Sequence, residues 1–141
     1  MQPRDAQRAI AVLHSFRFFG LVFIVPGVVG ALPTSFAQYA AWGDFATGVL
    51  ATAALAGFRI GPLFRFLVIA FNVVGTVDLV GDYFNATRLG VPDIAGQLGA
   101  TYVIPIVYVP ILMITHFAAF VLLAQGAREL ERGAGPGVPA R

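Results

Sequence analysis

Hydrophobic residues in this chain gather into four long runs, at about 9–32, 40–58, 63–82 and 98–125, with most polar residues between them. A bilayer core roughly 30 Å thick takes about 20 helical residues to cross, so each run is long enough for one crossing. No segment shows the long alternation of polarity that marks a membrane strand. The pattern predicts an all-α membrane protein, a bundle of four transmembrane helices forming a single domain over residues 1–126. The Gly- and Pro-rich stretch 127–141 reads as a disordered cytoplasmic tail.

Composition agrees with this reading. Hydrophobic residues make up 58% of the 141 and charged residues 11%, with a mean hydropathy of +0.82. A soluble domain is about a quarter charged. There is no cysteine, which excludes disulfides, thiolate metal sites and cysteine nucleophiles. The net charge of +2 is too small to suggest a nucleic-acid partner. Every basic residue is arginine, which reads as GC-rich bacterial coding bias.

Arginine placement predicts orientation. Arg4, Arg8, Arg59, Arg65, Arg128, Arg132 and Arg141 fall on one side of the four runs, and the opposite connections carry only Arg88. Both termini are therefore expected in the cytoplasm, N-in and C-in, with the chain a multi-pass protein of the inner (plasma) membrane. This bias argues against the four-helix small multidrug transporters, which insert in both orientations; their embedded first-span glutamate is also missing. A cleaved signal peptide would use Arg4 and Arg8 as its basic region and Ser35-Phe36-Ala37 as its cleavage site. His14, Ser15 and Arg17 interrupt the apolar run too early for that, and the run is too long.

Polar residues inside the runs are the candidate functional groups, because a charge at mid-bilayer costs at least ~2.5–3.5 kcal/mol. Asp44 fits either a cap at a helix start, in Trp42-Gly43-Asp44, or a carboxylate facing the bundle. Asp78 and Asp82, four residues apart, share a helix face with Gly75. Charged together they repel, so they need a shared proton or a cationic partner. Asp82 reads as the solvated outer end of helix 3 and Asp78 as the deeper group. Asn72 lies deepest and is expected to bond to another helix or to touch a ligand. Arg17 can snorkel to the cytoplasmic interface, and His14 lies on its face of the first helix. His116 is too deep to snorkel and shares a face with Tyr102 and Pro105. Pro26, Pro105 and Pro110 free the carbonyls of Val22, Thr101 and Ile106. The sequon Asn85-Ala86-Thr87 reads as chance. No phosphate loop, zinc motif, nucleophile elbow or dinucleotide fingerprint is present, and no residues are spaced as metal ligands.

Three stretches together, GDFATGVLA (Gly43 to Ala51), FNVVGTVDL (Phe71 to Leu79) and VPILMITH (Val109 to His116), resemble uncharacterised bacterial four-span inner-membrane proteins of similar length. The size and layout are also similar to DoxX-like membrane proteins. The resemblance implies the four-span architecture and no particular chemistry.

Three functional readings follow. In the first, Asp44 and Asp78 converge from adjacent helices in the outer half of the membrane as candidate acid and base. Asn72, Tyr102, Asp82, His116, Arg17 and His14 are then candidate binding groups for a small lipophilic molecule or a cation. In the second, the same residues fix helix packing in an accessory or assembly protein, with homo-oligomerisation possible in either case. In the third, His14 and His116 hold haem b between two helices, despite estimated depths that differ by about 6 Å.

Overall fold

A computed structural model describes residues 2–133 and contains no strand among them. Helix α1 covers Pro3–Ser15, with proline in its first turn and Asp5 against the positive end of the helix dipole. It continues as a 3-10 helix over Phe16–Ile24. Helix α2 spans Thr34–Ala56 and stops at Gly57; α3 spans Gly61–Arg88. A second 3-10 segment, Val91–Tyr102, and a π turn, Ile104–Tyr108, lead into α4, Val109–Gly133.

Three helical stretches are long and apolar enough to cross a membrane: Pro3–Ile24, Gly61–Arg88 and Ile104–Arg128. Large apolar side chains such as Phe19, Phe66, Phe84, Ile114 and Phe117 stand exposed on their outer faces, as a lipid-facing surface requires. Helix α2 is long enough, but Thr34, Ser35, Gln38, Asp44, Thr47, Thr52 and its many Ala and Gly residues make it less apolar. It packs against α1, the first 3-10 segment and α3, and so occupies the middle of the structure.

Several sequence expectations change here. The stretch read as the first connection, from Thr34 onward, is helical. Asp44 therefore lies mid-helix and buried rather than capping a helix start, and Trp42 also lies within the helix. Helix α3 runs on to Arg88, so Asp82 is not its wet end. The fourth run is not one continuous α-helix. Pro105 and Pro110 cannot donate backbone hydrogen bonds, and Gly99 adopts φ +53, so regular α geometry starts only at Val109. Pro26 and Gly27, at φ +80, end the first helix in the same way. Helix α4 passes the expected end of the domain at residue 126, and the rest of the tail, 134–141, lies outside the described residues.

Two apolar clusters flank a polar one. Near the arginine-bearing end, Ala11, Ala51, Ala54, Phe64, Val68 and Phe71 pack together. Toward the other end lie Phe23, Phe36, Ala37, Ala40, Val91 and Leu98. The two ends are tied across the connections. Arg4 donates to the Phe58 carbonyl and lies over the Phe58 ring, so the N-terminus and the α2–α3 turn share one end. At the opposite end Gly30 N–H donates to the Gln97 carbonyl at 2.7 Å.

The buried face of α2 is mostly small: Ala37, Ala40, Ala41, Gly48, Ala51 and Ala54. In lipid there is little hydrophobic drive between helices, and close backbone approach supplies the packing energy instead. Ala51 is fully buried. Replacing it with leucine is expected to cost about 1–3 kcal/mol by overpacking, seen as a lower unfolding temperature in detergent, whereas the same change at exposed Ala56 should leave that temperature unmoved.

Candidate functional site

The site begins with a change of helical period. An α-helix has 3.6 residues per turn and a 3-10 helix three. Once α1 tightens at Phe16, side chains three apart line up in one straight row. His14, Arg17, Gly20 and Phe23 form that row, and all four are buried. A 3-10 run of nine residues is unusually long. Its effect is to keep Arg17 facing inward.

Arg17 has no exposed surface. Its Nε donates to Asp44 Oδ1 at 2.5 Å, its Nη2 to Asp78 Oδ2, and its Nη1 to the Gly75 carbonyl at 3.3 Å. Three helical segments thus meet on one guanidinium. The rigid fork of donors suits this, since a lysine ammonium cannot address two carboxylates and a carbonyl in one plane. The snorkelling position expected for Arg17 is not adopted. Two carboxyl acceptors inside the structure outweigh the interface, and the stem points toward α2 and α3.

The backbone is cut back to make room. A β-carbon at Gly20 would collide with the Asp44 carboxylate, and one at Gly43 with that of Asp78. At Gly75 it would lie 2.6 Å from His116 Nε2 and 2.7 Å from Arg17 Nη1. Only glycine leaves space for the buried charges at these contacts.

A neutral half of the cluster adjoins the charged half. Asn72 Nδ2 donates to the Val68 carbonyl at 2.7 Å, which turns its Oδ1 toward α4, where His116 Nδ1 lies 2.8 Å away. His116 Nδ1 is therefore the donor, and the lone pair of Nε2 faces Gly75 and Arg17. On the other ring, His14 Nε2 lies 3.0 Å from Thr115 Oγ1, whose hydroxyl donates to the carbonyls of α4. His14 Nδ1 and His116 Nε2 have no hydrogen-bond partner among the described residues.

Haem b does not fit these histidines. Axial ligands point a nitrogen at iron from opposite faces of the macrocycle. Here the two rings pack on each other, with centroids 4.1 Å apart and a 42° tilt, so no macrocycle can enter between them. Their bonds to Thr115 and Asn72 also take one nitrogen of each ring. The depth difference inferred for the two residues is absent, since their rings lie side by side. Among the described residues, no group of three or more His, Cys, Asp or Glu is placed to hold a metal ion.

Of the other candidates, Asp82 is half-buried, with Oδ1 enclosed and without a hydrogen-bond partner among the described residues. Tyr102 lies 43% exposed in the second 3-10 segment, away from the cluster, because the helix expected to carry it inward is not formed there. The cluster also lies nearer the middle of the helices than the outer-half position expected for it. Asp44 and His116 lie near the midpoints of α2 and of the stretch Ile104–Arg128. Thr115, Gly43 and Tyr108, whose hydroxyl donates to the Leu13 carbonyl at 3.2 Å, were missed in the sequence. Spacing of three from His14 to Phe23 was the signal that could have revealed the inward row.

Asp78 has a second neighbourhood. It also lines a groove of about 760 Å³ on the α2–α3 face, together with Gly43, Tyr39, Trp42, Val73 and Val77. The groove joins the buried charges to the apolar outer surface.

These features define a class: an all-α membrane protein that encloses an arginine–carboxylate–histidine cluster among its helices. Residues 1–124 match the family described as Domain of unknown function (DUF8737), and the chain belongs to that family. No curated protein and no solved structure matches it.

Removing one partner of a buried ion pair typically costs about 3–5 kcal/mol, because the other charge is left uncompensated. Arg17→Ala strands two carboxylates and is expected to fall in that range. Arg17→Lys should recover part of the loss, keeping the charge without the fork. Thermal unfolding of the purified protein in detergent orders the three chains as wild type, Arg17→Lys, Arg17→Ala.

Proposed function

We propose that this protein is a four-span bundle of the bacterial inner membrane, N-in and C-in, that binds a small lipophilic molecule with a cationic or hydrogen-bond-donating end at Asp78. The four-span topology is supported by the shared end of the N-terminus and the α2–α3 turn, both arginine-bearing. One observation carries the binding reading: Asp78 belongs both to the arginine triad and to the lining of the groove.

Charge supports the choice of ligand. With both carboxylates ionised, one arginine against two aspartates leaves the triad at −1, and an uncompensated charge in a low-dielectric interior is costly. A proton balances it in the empty state. An ammonium or strong donor entering the groove balances it in the bound state, while its apolar part lies against Val73, Val77 and Trp42. Acid/base chemistry on such a ligand would use Asp78 as the reacting group, with Asp44 retained by Arg17.

A second reading rests on the burial of Arg17. The triad then acts as a lock between α1, α2 and α3 in an accessory protein without a ligand. Trp42 separates the two, being the only tryptophan in the chain and part of the groove. In nanodiscs, dodecylamine is expected to change Trp42 emission saturably and dodecane, which has no donor, much less. Asp78→Asn should remove the response while the protein remains folded by circular dichroism. Identical responses to the two probes, or a response that survives Asp78→Asn, would leave the lock as the better account.

A further inference from the structure

A second cavity lies at the arginine-bearing end, about 600 Å³, between α1, α3 and α4. Its size falls within the roughly 300–1,000 Å³ of ligand sites. Arg4 and Arg65 stand on its wall, and Phe64, Val68 and Leu123 form its apolar part. Gln7 also lines it. That side chain is 5% exposed and donates through Nε2 to the Ala119 carbonyl at 2.8 Å. Its Oε1 is enclosed and has no hydrogen-bond partner among the described residues.

Two guanidinium groups over an apolar wall describe an occupant. It carries negative charge for the arginines and hydrocarbon for the wall. We propose that this cavity binds one anionic phospholipid, of which phosphatidylglycerol is a simple example. The phosphate lies by Arg4 and Arg65, and an acyl chain runs between α3 and α4 along Val68 and Leu123. Basic pockets between helices on the cytoplasmic side hold anionic headgroups in this way. The orientation argued from the arginines puts this cavity at the cytoplasmic leaflet. Arg4 is positioned for the role by its bond to the Phe58 carbonyl and its place over the Phe58 and Phe64 rings. The site is separate from the Asp78 groove and does not depend on it.

Native mass spectrometry of the full chain tests this, with phosphatidylglycerol and phosphatidylcholine offered in equal amounts. One phosphatidylglycerol per chain is expected, retained at least about fivefold over phosphatidylcholine, since each basic residue near an anionic lipid contributes roughly that factor. Arg65→Gln should lower that preference about fivefold, and because Arg65 is exposed the fold is expected to survive. Equal retention of the two lipids by the wild-type protein would overturn the proposal, as would a preference that Arg65→Gln leaves intact.

Discussion

A single guanidinium, withdrawn from both water and lipid, sets the terms for the rest of the structure. Arg17 cannot be buried alone, because an isolated charge in a low-dielectric interior is prohibitively costly. It is buried with two carboxylates and a backbone carbonyl, each supplied by a different turn of α2 or α3. Those acceptors fix the relative height and rotation of three helical segments. Apolar packing in lipid has no comparable directional demand, so the polar contact selects one register among many that alanine and valine faces would tolerate.

The backbone bears the consequences. The 3-10 stretch after Ser15 sacrifices better α hydrogen bonding to align His14, Arg17, Gly20 and Phe23. Gly20 and Gly43 forgo side chains so that the Asp44 and Asp78 carboxylates fit against them. The histidine pair extends the same cluster into α4, through Asn72 on one ring and Thr115 on the other. A fourth helical element is thus attached by neutral hydrogen bonds where the first three are joined by charge. Apolar clusters above and below keep water from the ion pairs. Water would weaken them by raising the local dielectric.

The two cavities stand in different relations to this centre. The groove beside Trp42 reaches it, because Asp78 belongs to both. The cavity beside Gln7 lies past the lower apolar cluster and has its own polar groups. The molecule thus offers a carboxylate to one face and guanidinium groups to another, with the folded core between them.

Much of the architecture was legible in the chain itself. Long apolar runs with few charges specify helices suited to a bilayer, and intramembrane polar residues are rare enough that Arg17, Asp44, Asn72, Asp78, His14 and His116 identified themselves by cost alone. Their partners were not legible. Reading the first run with a 3.6-residue period sent Arg17 toward the interface, and counting depth residue by residue kept it apart from Asp44 and Asp78. Prolines flagged irregularity at 105 and 110, but the extent of the 3-10 and π geometry before Val109 depends on contacts with other helices. Sequence alone determined which residues had to be paired, since that follows from chemistry and hydrophobicity. Only the tertiary structure decided with whom, because pairing is settled by helix rotation and height, and these are fixed by long-range contacts that no local pattern contains.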